Sequence, residues 1–295
     1  MVRPVGMGSR VEVAYRSVGK DRGRSGKCDP VRLRDPTAEA LFRAMKIAFA
    51  LAAAVLLAGA APAPKPPMDP SLAGPTPGQL SGYLAADALD GTVVIGPPPA
   101  PDSPRGKADR TIYLETRKLA GTARWTQATK DNDLWTGGAL ERYARALGQP
   151  ITAQSLPRTY RLLQRVEVDA RTVGTPPKDH FNRTRPLIGD SEPVCIKRED
   201  WMRTNASYPS GHAITGWAWG LILGELSPPH ASGLLEAGRE IGDSRVICGV
   251  HYESDVEAGR MLGASMVAAE HANAQFRADF AAAKAELAKG ASANR

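Results

Sequence analysis

Cysteine is scarce, no apolar run is long, and strand-like alternation is missing. Only 3 Cys occur in 295 residues, so no more than one internal disulfide can form. The longest apolar runs, Ile47 to Ala58 and Ala213 to Leu226, fall short of the roughly 18–20 residues that a membrane span needs. An integral protein with several spans is thereby excluded. Clear period-2 alternation of apolar and polar residues is absent, which argues against a sheet. The 29 Gly and 24 Pro carry no collagen-like period. Charge of one sign is also lacking once its location is considered. The formal net charge is +7, but residues 1–44 hold ten Lys/Arg against five acids, and Lys46 brings that segment to +6. About +1 is left for everything after it, so the basic balance gives no ground for a nucleic-acid polymer as partner.

What is present begins with a leader. Met45-Lys46 precedes the apolar run Ile47 to Ala58, followed by Gly59-Ala60-Ala61. A positive start, an apolar stretch of this length and a small-x-small end describe a secretory signal peptide. Residues 1–60 are therefore assigned as an upstream segment plus signal peptide, with the signal core at 45–60. Residues 1–44 read as a long n-region or as sequence upstream of a start at Met45. Cleavage near Ala60 implies a periplasmic or secreted chain. It also removes Cys28, leaving Cys195 and Cys248 either as one disulfide or as two buried thiols. A bridge would close a loop of about 54 residues, worth roughly 4 kcal/mol in the chain-entropy model.

Residues 61–101 are rich in Pro, Gly and small side chains and read as an irregular arm laid over the domain. Residues 102–295 form the domain itself. Apolar residues at near-helical spacing predict one helix from about Ser103 to Lys130, broken by Asp131-Asn132-Asp133. A short helix over Ala139–Leu147 ends at Gly148. Another opens at Ser155-x-Pro157 and is broken or restarted by Thr175-Pro176-Pro177. The stretch from Ala213 to Leu226 is apolar all round and predicts a central buried helix. Helices over Leu234–Val250 and Val256–Glu270 follow, then a charged amphipathic tail. The fold class is all-α.

Three short segments carry chemistry. In Lys178-x6-Arg185-Pro186, seven helical positions turn through about 700°, which would bring both cations to one face. In Tyr208-Pro209-Ser210-Gly211-His212, Ser210 can cap a helix and Gly211 lets a backbone N–H approach a ligand. The helix N-terminus behind them is an anion site. In Ser244-Arg245-x5-His251-x3-Asp255, a carboxylate four residues after an imidazole can fix its tautomer and leave the other nitrogen to attack.

Taken together, their order and spacing resemble the phosphatidic-acid-phosphatase type 2 signature, KxxxxxxRP…PSGH…SRxxxxxHxxxD, which vanadium haloperoxidases share. Every signature residue is present. The context of Lys178-Asp179-His180 and of Ser244 to Gly249 looks most like the bacterial class A non-specific acid phosphatases, from about Pro97 to Lys289. Ala206 and Ala213 depart from the Gly and Thr usual beside the PSGH block, a difference that bears on substrate preference. The resemblance implies a PAP2/haloperoxidase-like helical bundle with a metal-independent phosphate site. It implies that His251 is the nucleophile, oriented by Asp255, and that His212 is the general acid and then base. Lys178, Arg185, Arg245, Ser210 and the Gly211 N–H would hold phosphoryl oxygens. Trp135 and Thr136 are candidates for the pocket rim, whereas His180, His230 and His271 read as structural or surface residues.

The function implied is an exported acid phosphatase of broad specificity toward small phosphomonoesters, acting through a phosphohistidine. No cofactor is expected, and vanadate should inhibit. The mature chain should not insert stably in a membrane, and a homo-oligomer is left open. Two alternatives share the anion cage: a haloperoxidase with vanadate as cofactor, and a non-catalytic phosphate-binding protein.

Overall fold

The computed structural model describes residues 80–293, with side chains through residue 289. The signal-peptide segment at 1–60 and arm residues 61–79 lie outside the described residues. Within them the chain forms α1 (Gly91–Ile95), α2 (Pro104–Arg117), α3 (Ala123–Lys130), α4 (Ala139–Leu147) and α5 (Pro157–Phe181). There follow α6 (Trp201–Thr204), α7 (Gly211–Leu226), a 3-10 turn (Pro228–His230), α8 (Ala231–Cys248), α9 (Glu253–Ala272) and α10 (Ala274–Ala293). Among the described residues there is no strand. None of these helices is long and apolar enough to cross a membrane.

Apolar almost throughout, α7 takes the centre, with the edge at Trp217, Leu221 and Glu225 reaching solvent. It packs most extensively on α8 and α9, with α5 beside it; α3 and α4 cover α8, and α10 lies along α5. Glycines set how closely these helices approach. On α7, Gly216 faces Ile241 and Gly220 faces the Leu234 carbonyl, while Gly238 of α8 meets the Gly216 carbonyl. On the other side Gly259 and Gly263 of α9 abut the carbonyls of Ser210 and Ile214. Two helix backbones therefore approach α7 closely at these glycines. Around this seam the Trp219 indole donates to the Leu163 carbonyl at 3.0 Å, and the buried Tyr143 hydroxyl donates to the Gly216 carbonyl.

Helix ends follow local chemistry. Ser103 caps α2 through the Gly106 N–H, with Pro104 in the first turn. Gly148 and Gly249, at φ 77 and 83, close α4 and α8 in the left-handed conformation that glycine adopts without cost.

Three expectations need correction. The single helix predicted over 103–130 is two, α2 and α3, separated by a turn in which Gly121 has φ 82. Pro176-Pro177 do not break α5, which runs on to Phe181. These prolines leave only the carbonyls of Thr172 and Val173 without an i+4 donor, and α1 packs there, its Gly91 against the Val173 carbonyl. The arm is also not wholly irregular, since it contains α1, capped by Asp90. Its described part does lie on the domain. The carboxylate of Asp169 accepts from the backbone N–H groups of Tyr83 and Leu84 at 2.8–3.0 Å.

The glycine seam is testable by urea denaturation. A Cβ at Gly263 would stand 2.7 Å from the Ile214 carbonyl oxygen, so Gly263→Ala should destabilise by about 1–3 kcal/mol despite its better helix propensity. At Gly224 the nearest atom would be 3.6 Å away, so Gly224→Ala should stabilise by up to about 1 kcal/mol.

Candidate active site

Four chain segments converge at the N-terminus of α7. Lys178 comes from the last turn of α5, where its ammonium donates to the Ala206 carbonyl at 2.5 Å. Arg185 does not share that helix. Asn182 takes the left-handed conformation, φ 44, and ends α5, so Lys178 and Arg185 meet through a chain reversal and not through a shared helical face. Arg185 is held by Asn205, donating to its backbone carbonyl at 2.9 Å and to its side-chain oxygen at 2.8 Å. Arg245 occupies the last turn of α8, fully buried, and donates to the Asn132 side-chain oxygen at 2.9 Å.

Ser210 is the residue before α7, as expected, but its hydroxyl does not cap the helix. The backbone N–H donates to the Asp255 carbonyl at 2.9 Å, while Oγ is buried with no hydrogen-bond partner. An unsatisfied buried hydroxyl costs about 1–3 kcal/mol, and an incoming anion oxygen would relieve that cost. Gly211 begins the helix, whose first N–H groups have no intrahelical acceptor. His212 follows, with Nε2 at 2.9 Å from the Asn132 carbonyl. A carbonyl only accepts, so Nε2 carries a proton, and Nδ1 is the nitrogen whose proton can come and go.

His251 and Asp255 are not an i,i+4 pair on one helix. Gly249 turns the chain out of α8, His251 lies in the turn, and Asp255 sits in the first turn of α9. Its Oδ2 accepts the Tyr252 N–H at 2.8 Å and faces His251 Nδ1 at 3.4 Å. On the far side of the ring, Nε2 stands 3.1 Å from Nη1 of Arg185. A guanidinium only donates, so Nε2 is the bare nitrogen and Nδ1–H faces the carboxylate. Burial comes first in pulling this imidazole well below its ordinary 6.5, and the charges of Arg185, Lys178, Arg245 and His212 push the same way. Two histidines and three cations thus form one buried cluster, in which the ring with a carboxylate behind it has its protonated form disfavoured.

Comparison with known proteins decides the family. The PAP2 superfamily profile matches residues 170–278, which span all three motif segments. A Zymomonas mobilis protein named acid phosphatase is 37% identical over 202 residues, 68% of this chain and 76% of that protein. A non-specific acid phosphatase of Providencia stuartii is 38% identical over 69% of this chain and 83% of its own length. One from Salmonella typhimurium is 32% identical over 68% and 81%.

The chain belongs to the PAP2 superfamily. A transmembrane PAP2-type phosphatidylglycerolphosphate phosphatase from Bacillus subtilis also aligns with it, over 60% of this chain and 88% of that one. Identity there is 19% and the TM-score is 0.42, too loose a likeness to argue from.

The PAP2 site contains residues that sequence reasoning passed over. Asn132 offers its side chain to Arg245 and its carbonyl to His212, although Asp131-Asn132-Asp133 had read only as a helix breaker. Behind it, Asp131 accepts from Ser244 Oγ at 2.5 Å and from Arg142 Nε at 2.8 Å, fixing the loop against α8. Asn205 was likewise unmarked. Cys195 and Cys248 stand at disulfide distance with Cα atoms 4.6 Å apart, which ties the segment before Asn205 to the end of α8.

Trp135 is half-buried, its indole donating to Glu167 at 3.0 Å and its ring packing edge-on against Trp219 and Tyr160. Thr136 is exposed in the adjoining turn, where its N–H donates to Asp133 at 2.8 Å. Of the remaining histidines, His230 bonds Ser227 and His271 pairs with Glu225, while His180 is exposed.

If Lys178 helps to hold the anion, Lys178→Met should weaken orthophosphate binding by about 10- to 150-fold in calorimetry, the range of a charge-assisted hydrogen bond. Asp179→Asn, at the exposed neighbouring position, should change it less than twofold.

Proposed function

We propose that this chain is an acid phosphatase that hydrolyses small phosphate monoesters through a phosphohistidine on His251, with no metal in the chemistry. The observation that carries the reading is the state of His251: neutral, buried, Nδ1–H toward Asp255, and Nε2 bare among cations. Nε2 attacks phosphorus in line, the ester P–O bond breaks, and His212 gives its Nδ1 proton to the leaving oxygen. Water then attacks the phosphoryl group, His212 takes the water's proton, and the N–P bond breaks to release phosphate. Lys178, Arg185, Arg245, Ser210 and the N–H of Gly211 provide for the charge on the non-bridging oxygens. Positioning and charge stabilisation are what phosphoryl transfer mainly requires, and bidentate guanidinium geometry suits it.

The leader supports an exported enzyme, periplasmic or secreted, and an oxidising compartment would keep Cys195 and Cys248 bridged.

The two histidines need opposite protonation states. His251 stays neutral well below pH 6.5 because its pKa is depressed, so attack persists in acid. His212 must be protonated to release the leaving group, so turnover falls toward alkaline pH. The expected profile on an aryl phosphate is a bell with an acidic optimum, unchanged by EDTA, and His251→Ala should abolish turnover. A rate climbing steadily to pH 9, or wild-type activity in His251→Ala, would contradict the mechanism.

A further inference from the structure

Arg183 lies inside the first motif segment but outside the signature, and its surroundings are too specific for a solvated surface cation. Nη1 donates to Asp255 Oδ1 at 2.6 Å and to Ser254 Oγ at 2.7 Å, while Nη2 donates to Asp109 Oδ2 at 2.8 Å. The guanidinium carbon stands 4.3 Å from the centre of the Tyr252 ring. Asp109, buried on α2, also accepts the Ser254 N–H at 3.0 Å. The arginine is thus clamped between α2 and the first turn of α9.

The two oxygens of Asp255 have separate duties. Oδ2 faces His251 and Oδ1 is given to Arg183. Asp255 is completely buried, and a buried carboxylate without a partner takes up a proton. Burial does push its pKa above 3.8, with Arg183 the largest opposing influence and the Tyr252 N–H and Lys178 acting the same way. The groups facing this carboxylate are Arg183 from the segment after α5, Lys178 from α5, His251 and Tyr252 from the turn before α9, and Tyr208 from the loop before α7. Asp109 of α2 acts through Arg183. The charge of Arg183 is secured in turn, since Asp255 and Asp109 outweigh the effect of its burial.

We infer that Arg183 is a positioning residue for the phosphoryl transfer, holding Asp255 ionised and turned so that its second oxygen meets the His251 Nδ1–H. When Nε2 bonds to phosphorus the ring becomes cationic, and the carboxylate that balances it is already in place and need not reorganise. The inference rests on the phosphohistidine reading and adds to it the residue that sets the carboxylate.

The test compares Arg183→Gln, Arg183→Met and Arg183→Lys in the full chain, by pH-resolved kinetics on an aryl phosphate, beside Asp255→Asn and His251→Ala. Both neutral variants should lose about 10- to 150-fold in kcat, with KM within about threefold of wild type. The acid limb of their profile should move up by about one pH unit, because Asp255 then protonates at higher pH. Arg183→Lys should keep the wild-type limb and recover much of the rate. On an Asp255→Asn background the Arg183→Gln change should cost less than about threefold further. The two neutral variants are made in parallel, so that either folded one decides. A lowered kcat with an unmoved limb, or full additivity with Asp255→Asn, would show a merely structural role and overturn the inference. If His251→Ala keeps its activity, the phosphohistidine reading itself fails. If His251→Ala is inactive while the neutral Arg183 variants match wild type, only the role of Arg183 falls.

Discussion

The structure turns on an imidazole that is kept neutral by what surrounds it. His251 has a carboxylate behind Nδ1 and a guanidinium before Nε2, and two further cations close by. Each neighbour limits the ring differently. Arg185 cannot accept a hydrogen bond, so it selects the tautomer with Nε2 bare, and Asp255 completes the choice from the other side. Burial does most to keep the ring from protonating, and the cations that would receive a phosphate dianion in the proposed mechanism act in the same direction.

Such a concentration of positive charge is costly to bury and needs a rigid frame. The glycine seam supplies it. With α8 and α9 closed on α7 at backbone distance, the N-terminus of α7, the last turn of α8 and the first turn of α9 are fixed relative to one another. Backbone carbonyls do the rest: those of Ala206 and Asn205 receive Lys178 and Arg185, and that of Asn132 receives His212. Cys195 and Cys248, at disulfide distance, bring the segment leading to Asn205 against the same helix end.

The sequence made some of this legible and concealed the rest for physical reasons. The end of α4 was readable because glycine at a left-handed position is a local cause with a local effect, whereas the expectation for α8 ran past Gly249 to Val250. The central place of α7 was readable because a helix with no polar face has nowhere else to go. The signature residues were readable because their order and spacing match the PAP2 pattern. Spacing alone misled for Lys178 and Arg185, and again for His251 and Asp255, since four or seven residues can also be brought together across a turn. The prolines in α5 broke local propensity, and packing against α1 overrode it. Asn132 acts partly through a backbone carbonyl that every residue possesses, and no residue pattern announces that. Trp135 was a candidate for the pocket rim, and nothing local announced that its indole donates to Glu167, thirty-two positions away.

The central claim is that phosphorus is bonded for a time to the Nε2 of His251. Its most direct measurement is an alkaline quench of the enzyme during turnover of an aryl phosphate, followed by peptide mass spectrometry under conditions that preserve acid-labile phosphoramidates. The account requires a phosphoryl group on the peptide containing His251, at a level that decays when substrate is exhausted. A phosphoryl group on another side chain would contradict it. So would inversion at phosphorus with a chiral phosphate ester in an alcohol-transfer reaction, because two successive in-line displacements retain configuration.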